Sequence, residues 1–255
     1  MAAVEVERRD RVGIIRLNRP EARNAVNNDL ATGVEAALDE FESDPDVQAV
    51  VITGNGKTFC AGADLKLVAA GRGAEMATAK GNFAGIVTRD FPKPIIAAVH
   101  GAALAGGFEI MLSCDLVVAA DDTRFGLPEV KRGLFAAAGG LIRLPKRLPL
   151  AIALELAMTG DPIDAPRALQ LGLVNRIVPA DQVVDAALEL AATIAENGPL
   201  AIKNSLAMVR EAQDLSDEDA WKRNIELALE VFASKDSIEG ATAFAEKRPP
   251  KWTGT

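Results

Sequence analysis

The chain has 255 residues, 49% of them hydrophobic, and carries a formal net charge of -8 with a pI near 4.9. That length allows one large domain, or one domain with an appendage, around a sizeable core. The acidic balance argues against a broad nucleic-acid surface, which needs clustered Lys and Arg. The longest apolar runs, Ile95 to Val99 and Leu116 to Ala120, fall far short of the roughly 20 residues of a membrane-spanning helix, so no membrane partner is expected.

Met1 to Glu7 shows no basic region followed by an apolar block, which leaves a cytoplasmic protein as the default. Cys60 and Cys114 are too few for a disulfide framework and belong to no Cys/His cluster, so no metal site is expected.

Val4 to Arg8 and Val12 to Leu17 alternate around Asp10-Arg11 and predict a hairpin. Leu30, Val34, Ala37, Leu38 and Phe41 recur at helical spacing, predicting an amphipathic helix over Asn28 to Glu42 that Pro45 cannot continue. A buried strand follows at Ala49 to Thr53, then the turn Gly54-Asn55-Gly56 and a loop reaching Asp64, a candidate helix cap. The pattern recurs with strand Ile95 to Val99, the glycine-rich stretch Gly101 to Gly107, a short helix to Ser113 and strand Leu116 to Ala120. This order predicts an α/β fold of strand-strand-helix units with helices covering the sheets.

Beyond Gly140 the pattern is mostly helical: Lys146 to Met158, Ala165 to Leu171, Gln182 to Glu196, Leu200 to Glu211 and Asp217 to Phe232, with one strand at Val174 to Val178. A core over 1-195 and a helical region over 196-255 are expected, divided near Gly198-Pro199. The apolar faces of the last helices require packing on the core or on a second copy. Lys247, Arg248 and Lys251 read as a solvated tail rather than a phosphate contact.

Two segments could supply backbone donors. Phe59-Cys60-Ala61-Gly62-Ala63-Asp64-Leu65 joins a strand to a helix start through small residues, which let a ligand approach a main-chain N–H. His100 to Glu109 repeats the arrangement, and the helix N-terminus at Gly106 suits an oxyanion forming on a carbonyl. Donors of this kind contribute roughly 3 to 4 kcal/mol each in comparable sites. Glu109 sits among Phe108, Ile110, Met111 and Leu112, where an unpaired carboxylate costs several kcal/mol in rough terms. It is either a buried ion pair or a general acid/base. Glu129, after Leu127-Pro128, is its candidate partner.

Taken together these segments resemble the enoyl-CoA hydratase/isomerase, or crotonase, family over nearly the whole chain. Asn18-Arg19-Pro20 with Arg23-Asn24-Ala25, Ala61 to Leu65, Gly106-Gly107 with Glu109, Leu127-Pro128-Glu129 and Met158-Thr159-Gly160 match in order. The resemblance implies a crotonase-like spiral of strand-strand-helix units followed by helices, assembled as a homotrimer or homohexamer. It implies an oxyanion hole from the N–H groups of Ala63 and Gly106, and a coenzyme A site along Arg23, Ala25, Ala61, Asp64 and Leu65. No separate cofactor is implied, since coenzyme A is part of the acyl-CoA thioester substrate.

The two glutamates of the family's hydratases match Glu109 and Glu129, which lie 20 residues apart here as in typical hydratases. Their expected reaction is syn addition of water to a trans-2-enoyl-CoA. Gly106-Gly107-Phe108-Glu109, Arg143-Leu144-Pro145 and Ala243 to Arg248 are also similar to crotonobetainyl-CoA hydratases. The chain departs from the hydratase pattern at Phe135 to Gly140, where Ala136 and Ala137 replace a Pro and a Gly beside Glu129, which leaves acyl specificity open.

Isomerisation through the same enolate needs only one of the glutamates, and a non-catalytic acyl-CoA binder would keep the whole constellation. A hydrolase would have to draw on His100, Ser113 and Asp115, and the strand position of His100 favours a structural role. Gly54-Asn55-Gly56-Lys57-Thr58 fails as a phosphate loop because Val51 stands where Gly is required. An RNA-binding role lacks the lysine-rich helix it needs.

Overall fold

The computed structural model describes residues 2–255. Strands β1 (Val4–Arg9) and β2 (Val12–Leu17) form the expected antiparallel hairpin, turning at Asp10 with φ 51°. Helix α1 (Asn28–Ser43) follows, capped by Asn27, whose side chain accepts from the Leu30 N–H at 3.0 Å. Its buried stripe is the predicted one, and Phe41 lies where a side chain at Gly13 would stand, 2.6 Å from that imagined Cβ.

Then come β3 (Ala49–Gly54), α2 (Leu65–Ala69), the short pair β4 (Ala77–Thr78) and β5 (Asn82–Phe83), β6 (Ile95–Val99), β7 (Ala102–Leu104) and α3 (Gly106–Ser113). They are followed by β8 (Leu116–Ala120), β9 (Arg124–Gly126), α4 (Gly140–Arg147), α5 (Leu150–Thr159), β10 (Ile163–Asp164), α6 (Ala165–Gln170) and β11 (Arg176–Val178). Four helices close the chain: α7 (Val183–Ala195), α8 (Pro199–Glu211), α9 (Asp217–Phe232) and α10 (Lys235–Glu246).

The main sheet runs β1-β2-β3-β6-β8-β11 and is parallel from β2 onward. Its inner strands are covered on both faces, which is why they read as unbroken apolar runs. Along β3, Val50 and Ile52 face the larger core with α1, while Ala49 and Val51 face α7 through Val183, Ala187 and Ala191. A second sheet, β10-β9-β7, stacks beside it, so successive units place one strand in each sheet before turning into a helix.

Three expectations require correction. The helix predicted over Lys146 to Met158 is two helices, α4 and α5, because Pro149 drives Leu148 into the extended region (φ -125°, ψ 154°). The turn-like stretch after Gly101 contains β7, whose small residues pair in the second sheet. Helix α10 was not anticipated; Ser234 caps it by accepting from the Ser237 N–H at 3.1 Å.

The basic end of the chain is solvent-exposed as expected, with Lys247 and Lys251 exposed, and it is also held in place: Arg248 bridges Glu239 and Glu246, and Trp252 Nε1 donates to the Glu196 carbonyl at 2.7 Å. Arg210 of α8 forms a bidentate pair with Asp115, joining the terminal helices to the sheet. Among the described residues no helix is long and apolar enough to cross a membrane.

Asn27 does not line the large cavity described below. Its substitution by Ala should therefore lower stability by about 1 kcal/mol, seen in urea unfolding as a lower midpoint with an unchanged slope.

Candidate active site

The first donor segment is set by two left-handed residues, Arg23 (φ 52°) and Asn24 (φ 54°). Asn24 is fully buried; its amide donates to the carbonyls of Asn55, Thr58 and Phe59 at 2.9, 2.8 and 3.1 Å, and its Oδ1 accepts from the Arg19 N–H at 2.8 Å. This clamp lays residues 23–26 alongside 61–64. Ala61 N–H donates to Arg23 O at 3.0 Å, Val26 N–H to Gly62 O at 2.8 Å, and Asp64 N–H to Val26 O at 3.0 Å. In that parallel pairing the bonds to Val26 come from Gly62 and Asp64, so the intervening Ala63 N–H points away from it. Asp64 pairs with Arg19 at 3.1 Å and caps α2.

The second segment packs directly on the first. A Cβ on Gly62 would lie 2.7 Å from Ala105 Cβ and 2.9 Å from the Gly106 nitrogen, and one on Gly107 would meet the Cys60 carbonyl at 2.1 Å. Ala105 is held at φ 52°, outside the usual range for a residue with a side chain, and this turn directs α3 into the cavity. Gly106 opens α3, so its N–H is one of the helix's unsatisfied donors at the positive end of the dipole. The Phe83 ring covers its far side.

Glu109 lies one turn into α3 and is only 3% exposed. Its Oε1 accepts from the Gly140 N–H, the first of α4, at 2.8 Å. Burial pushes its pKa up to about 7, and the charge of Glu129 adds to this; backbone donors at Gly140 and Ala138 and the charge of Arg143 pull the other way. Glu129 stands in a 3-10 turn over Pro128–Arg132, and burial raises its pKa as well. Its Oε2 is buried without a hydrogen-bond partner among the described residues. The alanine-substituted stretch 136–140 therefore ends against Glu109, not only beside Glu129 as its position in the sequence indicated.

All nine predicted site residues, Arg23, Ala25, Ala61, Ala63, Asp64, Leu65, Gly106, Glu109 and Glu129, line one cavity of about 1310 Å³. The hydrolase set does not assemble. His100 Nε2 contacts the Gly56 carbonyl at 3.1 Å, Ser113 Oγ donates to Ile110 O at 2.7 Å, and Asp115 is taken by Arg210. Among the described residues no group of three or more His, Cys, Asp or Glu is placed to hold a metal. Three contributors carried no role in the sequence reading: Asn24 as a clamp, Phe83 against Gly106, and Gly140 as the donor to Glu109. Of these, only Asn24 had a local signal, as a polar residue inside the recognised Arg-Asn-Ala motif.

The family model described as enoyl-CoA hydratase/isomerase matches residues 7–255. An enoyl-CoA hydratase of Mycobacterium tuberculosis is 38% identical over 264 residues, covering 99% of both chains. A carnitinyl-CoA dehydratase of Citrobacter koseri is 42% identical over 246 residues, covering 94% of both. The crystal structure of an enoyl-CoA hydratase from Mycobacterium tuberculosis superposes over the full length of both chains with a TM-score of 0.96 at 47% identity.

The burial of Glu109 has a stability consequence with a definite sign. Its folded pKa, about 7, lies above the unfolded value near 4.5, so the native state binds more protons between these limits and loses stability as pH rises through them. Glu109→Gln keeps an acceptor for the Gly140 N–H. It should be more stable than the parent at pH 8 by about 2 to 3 kcal/mol, an advantage that vanishes near pH 4.5. Denaturant unfolding at the two pH values checks both the sign and the window.

Proposed function

The chain belongs to the enoyl-CoA hydratase/isomerase family, and we propose that it acts as an enoyl-CoA hydratase, adding water syn across a trans-2-enoyl-CoA to give the 3-hydroxyacyl-CoA. The observation that carries this reading is the pair of carboxylates, buried Glu109 and half-buried Glu129, lining the same cavity as the Ala63 and Gly106 backbone donors. Isomerisation requires one proton-transferring group, whereas addition of water requires its oxygen to be held and two protons to be managed.

In this proposal the thioester oxygen accepts from the N–H groups of Ala63 and Gly106. Charge drawn onto that oxygen leaves C3 open to attack, and the donors stabilise the enolate-like state by roughly 3 to 4 kcal/mol each. Water is held between the glutamates. Its oxygen bonds to C3, one of its protons passes to a carboxylate, and C2 takes a proton from the pair as the double bond is consumed. The two carboxyls titrate as a unit, so roles are given to the pair jointly. With its pKa near 7, Glu109 exists in both protonated and ionised forms at neutral pH, so it can donate or accept a proton there.

The coenzyme A portion lies along Arg23, Ala25, Ala61, Asp64 and Leu65 in the proposed mode, and the substrate brings the only coenzyme required. The protein acts in the cytoplasm as a homotrimer or homohexamer. Supporting assembly, α5 exposes Leu150, Leu154 and Met158, and α9 exposes Trp221, Ile225, Leu229 and Phe232, apolar side chains that a neighbouring subunit would cover. Sedimentation should give three or six times the 26.8 kDa chain mass; a monomer would count against it.

Glu109→Gln and Glu129→Gln should each lower kcat for crotonyl-CoA hydration by roughly a hundredfold or more, in the range of a lost general acid/base. Full hydration by both variants would end the proposal. A second acyl group merits assay because of the carnitinyl-CoA dehydratase relative. Running crotonobetainyl-CoA and a 3-enoyl-CoA beside crotonyl-CoA separates betaine specificity and isomerisation from simple hydration.

A further inference from the structure

Arg143 of α4 lines the main cavity and is half-buried, yet among the described residues no carboxylate lies within salt-bridge distance of it. Its bonds run to main-chain carbonyls on two separate loops. Nη2 donates to Val87 O and Nη1 to Ala138 O at 3.4 Å, while its own N–H donates to Gly139 O at 2.9 Å. Gly139 stands at φ 98°, where a Cβ would fall 2.1 Å from Nη1, so the guanidinium lies directly against that backbone. The next residue, Gly140, holds Glu109 Oε1.

We infer that Arg143 is a positioning residue: it fastens the 136–139 loop to the Val87 segment and thereby aims the Gly140 N–H at Glu109, while its charge faces the same carboxylate. The inference rests on the hydratase reading of Glu109 and Glu129. A planar guanidinium carries its donors on separate nitrogens in a fixed fork, so Nη2 and Nη1 engage carbonyls on two loops from different positions, a spread that the single nitrogen of a lysine does not have. The groups that act on these residues are Glu129 on Glu109, Arg132 on Glu129, and Arg147 and Cys114 on Arg143, and Arg147 donates to Cys114 O at 2.6 Å. Arg143 is thus the cation among these groups that acts on Glu109 directly.

The test uses the full chain and hydration of crotonyl-CoA across pH. In Arg143→Gln the lost cation no longer favours the Glu109 anion, so protonation becomes easier. The pair's apparent pKa in the kcat/KM profile should move to higher pH, with kcat down roughly a hundredfold from misplacement. Arg143→Lys keeps the charge without the fork of separate nitrogens: its profile should stay near the parent's while kcat falls about tenfold. Lysine also decides the matter if the glutamine variant does not fold. The inference is overturned if either variant keeps the parent kcat, or if Arg143→Gln slows the reaction with an unmoved profile, as a packing role alone would produce. Glu109→Gln assayed in parallel keeps the two ideas apart: full activity there overturns the hydratase reading, whereas full activity in the arginine variants overturns only this one.

Discussion

The site depends on one close contact between backbones, the approach of α3's first turn to the loop after β3. Gly107 lies against the Cys60 carbonyl and Gly62 against Gly106, at separations that exclude any Cβ. Such packing leaves no room for water between the segments. It fixes the Ala63 and Gly106 amides relative to each other without any side chain between them. Preorganised donors are effective because they need not reorient as charge develops.

From that contact the remaining geometry follows by short steps. The Asn24 clamp holds the strand-like 23–26 segment to one side of it, which sets the wall where Arg23 and Ala25 stand. Continuing α3 by one turn brings Glu109 into the cavity, and the start of α4 supplies the backbone donor that keeps it there. Its burial costs stability as pH rises from about 4.5 through 7, and the fold tolerates this because the surrounding core is extensive, with the main sheet covered on both faces.

Much of the fold was legible in the sequence where a single periodicity governed a whole element. The stripe of α1, the apolar runs of β3, β6 and β8, and the hairpin of β1 and β2 all carry patterns that only one burial geometry explains. Most elements of two or three residues were not legible, β11 within the predicted run Val174 to Val178 being the exception. The pairs β4–β5 and β9–β10 and strand β7 exist because a neighbour offers hydrogen bonds, and three small residues have no period of their own. The division of α4 from α5 was encoded in Pro149 but was masked by strong helical patterning on both sides.

The sequence by itself determined the chemical inventory: two glutamates in set motifs, two small-residue turns before helices and a net acidic charge. It could do so because these depend on residue type and local spacing. Only the tertiary structure decided that Glu109 and Glu129 share one cavity, that the 136–140 stretch ends on Glu109, and that His100, Ser113 and Asp115 have separate partners. It also decided the partners of Arg143, one of which, the Val87 carbonyl, lies 56 residues away. Contacts of that separation arise from how the sheets and helices stack, and burial, which sets the charge state of Glu109, is a property of the assembled core rather than of any segment.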